Sequence, residues 1–242
     1  MRGFLLLVLF AVGADGATLV VDTSSDSALS ACTAAANDCS LRGALITANA
    51  TVAEDLIEFN IPTSDAGFVP ISEHWLILVG ATALPPIENP VVIDGFSQPG
   101  ASENTLTPDD GGLNSVLKIE LRPATSGGSL NGLDTLSNNF AMPASTFRGL
   151  AISRFQSQIQ LAGGSGHRIE GCYLGTDISG TAASITTGSG NGVRVQGPGP
   201  YQIGGLLPAQ RNLISGLSGA ITAFSGSSGL HILGNLIGTD VN

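Results

Sequence analysis

Two stretches late in the chain carry nearly the same pattern: Ile169-Glu-Gly171-Cys-Tyr-Leu174-Gly-Thr-Asp177 and Ile232-Leu-Gly234-Asn-Leu-Ile237-Gly-Thr-Asp240. Ile169 maps onto Ile232, Gly171 onto Gly234, Leu174 onto Ile237 and Asp177 onto Asp240, all at one offset (232 − 169 = 63 residues). A constant offset that keeps the same apolar and turn positions means that one structural unit is used more than once. The offset is too long for a single supersecondary unit and suits about three rungs of roughly 20 residues each.

Around the repeat, short apolar runs alternate with turn-forming clusters such as Gly127-Gly128, Asn131-Gly132, Gly163-Gly164, Ser189-Gly190-Asn191-Gly192 and Gly204-Gly205. After a first strand at 18–22, strands are expected near 56–61, 75–79, 91–94, 116–121, 131–136 and 146–152. Others follow near 159–161, 167–170, 172–174, 193–195, 201–203, 212–214, 220–223 and 230–237. Charged residues make up only 12% of the chain, which suits many short strands and tight turns and does not suit salt-bridged helices. From residue 159 the register can be followed. Ile159, Val193 and Ile221 form one column, Ile169, Ile203 and Ile232 a second, and Leu174, Ile214 and Ile237 a third. Aliphatic side chains stacked in three columns describe a prism. The expected fold is all-β, a single-stranded parallel β-helix (solenoid) whose rungs lie about 4.8 Å apart.

The first residues read differently. Arg2, an apolar run from Phe4 to Val12 and the small residues Gly13, Ala14, Gly16 and Ala17 have the order of a secretory signal peptide, so residues 1–16 are expected to be a leader cleaved between Ala14 and Gly16. The run is about half the length a membrane-crossing helix needs, so stable membrane insertion is not expected. Residues 17–54 are expected to form an N-terminal cap, and 55–242 the coil. In an exported chain, Cys32 and Cys39 point to a disulfide closing a small loop; a zinc site would want a histidine near them, and none is there. Leu41, Ala44, Leu45 and Ala48 make one helical stripe behind Ser40 as N-cap, a short helix placed to cover the exposed first rung. Cys172, in the column of Asn235, reads as a small buried side chain.

The segment Cys39-Ser40-Leu41-Arg42-Gly43-Ala44-Leu45, followed by Ala48-Asn49-Ala50, resembles the Cys-Ser-Leu-Arg-Glu-Ala motif that names the CSLREA-domain family. Pro90-Val-Val-Ile-Asp-Gly-Phe-Ser-Gln-Pro-Gly-Ala101, Arg211-Asn-Leu-Ile-Ser-Gly216 and the two Leu/Ile-Gly-Thr-Asp stretches are similar to that family too, so the resemblance runs from about residue 18 to the end. It implies an exported, mostly bacterial class of protein with right-handed parallel β-helix repeats of pectin-lyase-like fold. The chain departs from the motif at Leu45 and at Gly43, where the family has Glu. Glu at that third helical position would close a capping box, and Gly also lowers helix propensity by about 1 kcal/mol, so a frayed helix is expected. The chain ends at Thr239-Asp240-Val241-Asn242 within a repeat, which reads as a fragment of a longer product.

Chemistry is thinner in the sequence. A net charge of −10 makes nucleic acid, acidic membrane surfaces and anionic polysaccharide poor partners. Asp109-Asp110 lies in turn chemistry, and Asp177 and Asp240 share a column where capping a turn competes with calcium binding along one edge; no other cofactor is suggested. Lys118, Arg122, Arg148, Arg154 and Arg168 read as solvated side chains, while His167 and His231 lack metal-site spacing. Trp75, beside His74, would either stack on a sugar ring or pack against the cap or a loop. With no catalytic residues identified, the expected function is a secreted or cell-surface structural or adhesive module contacting extracellular polysaccharide or cell-surface glycans. A polysaccharide lyase or glycoside hydrolase is the alternative, and a passenger region beside an active domain beyond Asn242 is a third reading. An open last rung would also permit end-to-end self-association.

Overall fold

The computed structural model describes residues 15–125, 129–135, 144–184 and 190–242. Nearly all of the expected leader lies outside them, as do the Gly127-Gly128 turn, Ser189 and the last residue of the strand expected at 131–136. Strand β1 (Thr18–Val21) precedes helix α1 (Leu41–Ala48), then β2 (Asp55–Phe59), β3 (Phe68–Val69), β4 (His74–Val79), β5 (Val91–Asp94), β6 (Ile119–Pro123) and β7 (Asn131–Asp134). The second half holds β8 (Thr146–Arg148), β9 (Leu150–Ile152), β10 (Ser157–Ala162), β11 (Arg168–Glu170), β12 (Tyr173–Leu174) and β13 (Asn191–Gln196). It continues with β14 (Pro198–Gly204), β15 (Leu213–Ile214), β16 (Gly219–Ala223), β17 (Ser228–Leu233) and β18 (Leu236–Ile237).

These strands form three sheets. The first runs β1-β2-β5-β8-β11-β14-β17, the second β16-β13-β10-β7, and the third β18-β15-β12-β9-β6-β4-β3. All named strand pairs are parallel except β3 with β4. The expectation of one single-stranded right-handed parallel β-helix with a short capping helix is corrected by this topology: the described residues form a largely parallel arrangement of three separate, unequal sheets with one α-helix. The physical cause lies in the first half. The second sheet begins only at β7, and the segment between β4 and β5 carries Pro85, Pro86 and Pro90, which have no N–H to give a ladder. Ile87, just after that pair, donates its N–H to the Asp134 carbonyl at 2.8 Å without forming a strand. Ahead of β4 the chain folds back as the antiparallel β3–β4 hairpin, pairing Phe68 with Trp75 and Val69 with His74. Strand β1 pairs with β2, so the N-terminal segment shares the first sheet.

The three expected columns lie in register: Ile159 beside Val193 beside Ile221, Ile169 beside Ile203 beside Ile232, and Leu174 beside Ile214 beside Ile237. Alternation sends Trp75, Ile77 and Val79 of β4, and Ile119 and Leu121 of β6, into the common core. Each such aliphatic residue contributes about 1.5–3 kcal/mol by leaving water. One interior column is polar. The Cys172 N–H donates to Asn212 Oδ1, Asn212 Nδ2 donates to the Ile169 carbonyl and to Asn235 Oδ1, and Asn235 Nδ2 donates to the Ile203 carbonyl. Burial pushes the Cys172 thiol up to about 12, so it stays a neutral packing group in this ladder.

Helix α1 has the expected stripe buried and its expected cap, with the Gly43 N–H donating to Ser40 Oγ at 3.0 Å. Gly43 has a different meaning from the one its propensity suggests. A Cβ there would sit 1.7 Å from the Leu29 carbonyl oxygen. That same carbonyl accepts the Ser40 N–H at 3.0 Å, the bond a glutamate at position 43 would otherwise make. A backbone carbonyl here fills the place of a capping-box side chain, and only glycine leaves room for it. Arg42 ties the helix outward, through Asp26 (2.9 Å) and the carbonyls of Thr82 and Ala83. The Cys32–Cys39 disulfide closes the preceding loop.

Between β5 and β6 the chain leaves the sheets and lies over the outer face of the third. Leu113 and Leu117 pack there on Ala151, Tyr173 and Leu213. Arg211 anchors this loop by donating to the carbonyls of Leu106 and Gly112. The covered patch ends beside β4, and there a groove opens.

Candidate functional site: a polar groove on the third sheet

Outward residues of β4 and β6 form the floor of this groove. Register sets Leu76 beside Glu120 and Leu78 beside Arg122, which places His74, Glu120 and Arg122 on the face opposite the core. The rim comes from turns: Ser72 between β3 and β4, Arg154 after β9, and Asp177, Ser179 and Ser184 after β12. The groove has a volume of about 410 Å³ and opens to solvent.

Its centre is a hydrogen-bonded chain. Ser72 Oγ lies 2.8 Å from His74 Nδ1, and His74 Nε2 lies 2.9 Å from Glu120 Oε2. A carboxylate can only accept, so Nε2 carries a proton, and in the neutral ring Nδ1 is then the acceptor for the serine hydroxyl. The other carboxylate oxygen, Glu120 Oε1, faces Arg122 Nε at 3.4 Å. His74 and Glu120 are buried and Ser72 is exposed, so the chain of bonds begins in solvent and ends in the protein. Arg154 Nε donates to Ser184 Oγ, which also accepts from Ser153 Oγ. Two of the four non-glycine residues with positive φ among those described are Glu73, next to Ser72 and His74, and Arg154. Backbone held in this region costs about 1–3 kcal/mol per residue and gathers at sites where geometry matters.

The residues singled out in the sequence are placed as follows. Asp177 lines the groove, but its carboxylate accepts from Ser179 Oγ and from the amides of Thr181 and Ala182, closing its own turn. Asp240 caps the Asn242 N–H in an exposed turn. Among the described residues no group of three or more His, Cys, Asp or Glu gathers as metal ligands. Trp75 is 5% exposed; its ring packs 5.0 Å from that of Phe68 and its Nε1–H donates to the Pro62 carbonyl, so it offers no open face to a sugar. Asp110 caps its own turn through Thr107, and these bonds lower its pKa. Lys118, expected in solvent, is buried with Nζ 3.8 Å from Glu73, and Arg122 turns onto Glu120. His167 is buried at the start of β11, its Nδ1 accepting the Ser145 N–H and its Nε2 facing the Gly163 carbonyl.

Sequence reasoning passed over Ser72, His74 and Glu120 as a unit. Ser-x-His across a tight turn is a local signal, but Glu120 joins it only through the β4–β6 pairing, which spans a long intervening segment. No helix among the described residues is long and apolar enough to cross a membrane. No family model matches the chain, and neither the curated proteins nor the solved structures include a match.

Proposed function

We propose that this chain is an exported module that binds a neutral glycan in the groove beside β4 and β6. The observation that carries the reading is the groove's lining: two cationic side chains, Arg122 and Arg154, and two acidic ones, Glu120 and Asp177, share it with the hydroxyls of Ser72, Ser179 and Ser184. A polyol needs donors and acceptors at once, and a site in which charge cancels locally supplies both without selecting an anion. The net charge of −10 disfavours uronate polymers and nucleic acid as occupants. Export is supported by the leader-like residues 1–16 and by the disulfide, a bond that persists in oxidising compartments.

Affinity electrophoresis against immobilised neutral and uronic polysaccharides tests this. Retardation by at least one neutral glycan is expected, weakened about tenfold by Arg154→Ala as one charge-assisted bond is lost. Retardation by uronate polymers only, or binding indifferent to both Arg154→Ala and Asp177→Ala, would overturn the proposal.

A further inference from the structure

The hydrogen-bonded chain within this groove has a chemistry of its own. A glycan-holding surface requires polar side chains, but it does not require an exposed serine bonded to a buried histidine bonded to a buried carboxylate. We propose that Ser72, His74 and Glu120 act as nucleophile, general base and orienting group in hydrolysis of acyl esters, such as O-acetyl groups, carried by a glycan in the groove. The inference rests on the glycan-binding reading for its substrate and on the bond geometry for its reaction.

Each part of the geometry fits a role. Ser72 sits on the exposed turn, where a substrate carbonyl can approach it, and Nδ1 of His74 is already 2.8 Å from its Oγ. That distance lies within the range in which a base takes the proton of an attacking hydroxyl. Glu120, at 2.9 Å from Nε2, fixes the tautomer that leaves Nδ1 free to accept, and it stabilises the imidazolium that forms. Arg122 Nε lies 3.4 Å from the other oxygen of Glu120, an ion pair that favours this orientation of the carboxylate. Glu73 joins nucleophile to base in a left-handed conformation (φ 47°), and its carboxylate is steadied by the buried Lys118. The positive φ at Glu73 turns the chain sharply between Ser72 and His74, which brings the two side chains together. Arg154, its Nε donating to Ser184 Oγ, lines the same groove and adds positive charge to it.

In the reaction, Ser72 Oγ bonds to the acyl carbon while its proton passes to His74 Nδ1. The ester C–O bond then breaks, and the departing sugar hydroxyl takes that proton. Water attacks the acyl-serine, gives one proton to Nδ1 and releases the carboxylic acid as Oγ recovers the proton. No oxidant, metal or cofactor enters the balance.

The test uses the whole exported chain with p-nitrophenyl acetate and with an acetylated neutral polysaccharide, following nitrophenolate and free acetate. A fluorophosphonate probe with peptide mass spectrometry reads the nucleophile directly. Hydrolysis and covalent labelling of Ser72 are expected; Ser72→Ala should abolish labelling and lower hydrolysis about 100-fold or more, and Glu120→Gln should lower hydrolysis while Ser72 still labels slowly. Ser72 is exposed on a turn, so its alanine variant tests chemistry and not folding. Absence of ester hydrolysis or of Ser72 labelling in the wild-type chain, or equal rates in Ser72→Ala, overturns the relay. The two proposals separate cleanly: glycan retardation without ester hydrolysis sinks the relay alone, and hydrolysis of the small ester without retardation by any glycan sinks the groove's substrate alone.

Discussion

The same residue type in the same column behaves differently at the two ends of the molecule. Ile169 and Ile203, with strands on both sides, are 0% exposed, whereas Ile232, next in that column, is 43% exposed. Leu174 and Ile214 are likewise sealed while Ile237 is 48% exposed. At the opposite end β1 is also an edge strand, yet Leu19 and Val21 are buried, because α1 lies against β1 and β2 and brings Leu41, Ala44 and Leu45 onto the stack. The difference shows that apolar pattern alone does not decide burial in stacked parallel strands; each rung needs a neighbour above and below. The covered end has α1 as that neighbour, and the β16–β18 edge has none among the described residues.

The largest test of this contrast concerns how α1 is held. Gly43→Ala would drive a methyl into the Leu29 carbonyl and should cost about 3 kcal/mol, since that oxygen belongs to rigid backbone already bonded to Ser40. Gly238→Ala on the open side has a strained φ of 77° but nothing within 4 Å, and should cost only about 1 kcal/mol. Urea midpoints of the two variants measure the gap. Equal losses would mean that close approach of helix and loop is not what covers the first rung.

A smaller effect is expected within one column. Ile169→Val removes one methyl group from a fully buried side chain and should cost about 1 kcal/mol, whereas Ile232→Val, half in solvent already, should cost about 0.3 kcal/mol. If the two costs converge in chemical denaturation, the β17 edge is covered in solution and the contrast between the ends dissolves.

How much of this was legible in the sequence follows from range. The columns could be read because the repeat from residue 159 onward carries its own register, and α1 could be read because its stripe and its Ser40 cap are local. The unequal extent of the three sheets could not, since it turns on what Pro85 and Pro86 fail to donate to the second sheet and on a hairpin whose short strand β3 has only two residues. The close packing at Gly43 was not legible for a related reason. As a local propensity this glycine weakens a helix, but as a tertiary contact it is what lets the Leu29 carbonyl accept the Ser40 N–H. The groove was hidden most completely. Its serine and histidine are neighbours in sequence, yet the glutamate that makes them a unit arrives from β6, and Lys118 and Arg122 look like ordinary solvated cations until the β4–β6 register is known.

The smallest expected effect is one of pH, and it again separates the sealed interior from the open edge. His167 is buried next to β11, where burial of the ring pushes its pKa below the ordinary histidine value. The Ser145 N–H already donates to Nδ1 at 2.9 Å, so an added proton there would break that bond. The unfolded chain therefore takes up a proton near the ordinary value of about 6.5 while the folded chain does not. The stability that neutral His167 provides is complete above that pH and declines as pH falls from it toward the lower folded value. His231, on edge strand β17, is exposed and has no such sealed environment. Denaturation midpoints between about pH 7.5 and 5 should fall in the wild-type chain. The slope should flatten in His167→Gln and persist in His231→Gln; the reverse assignment would place the buried, proton-excluding part of the stack at the wrong end.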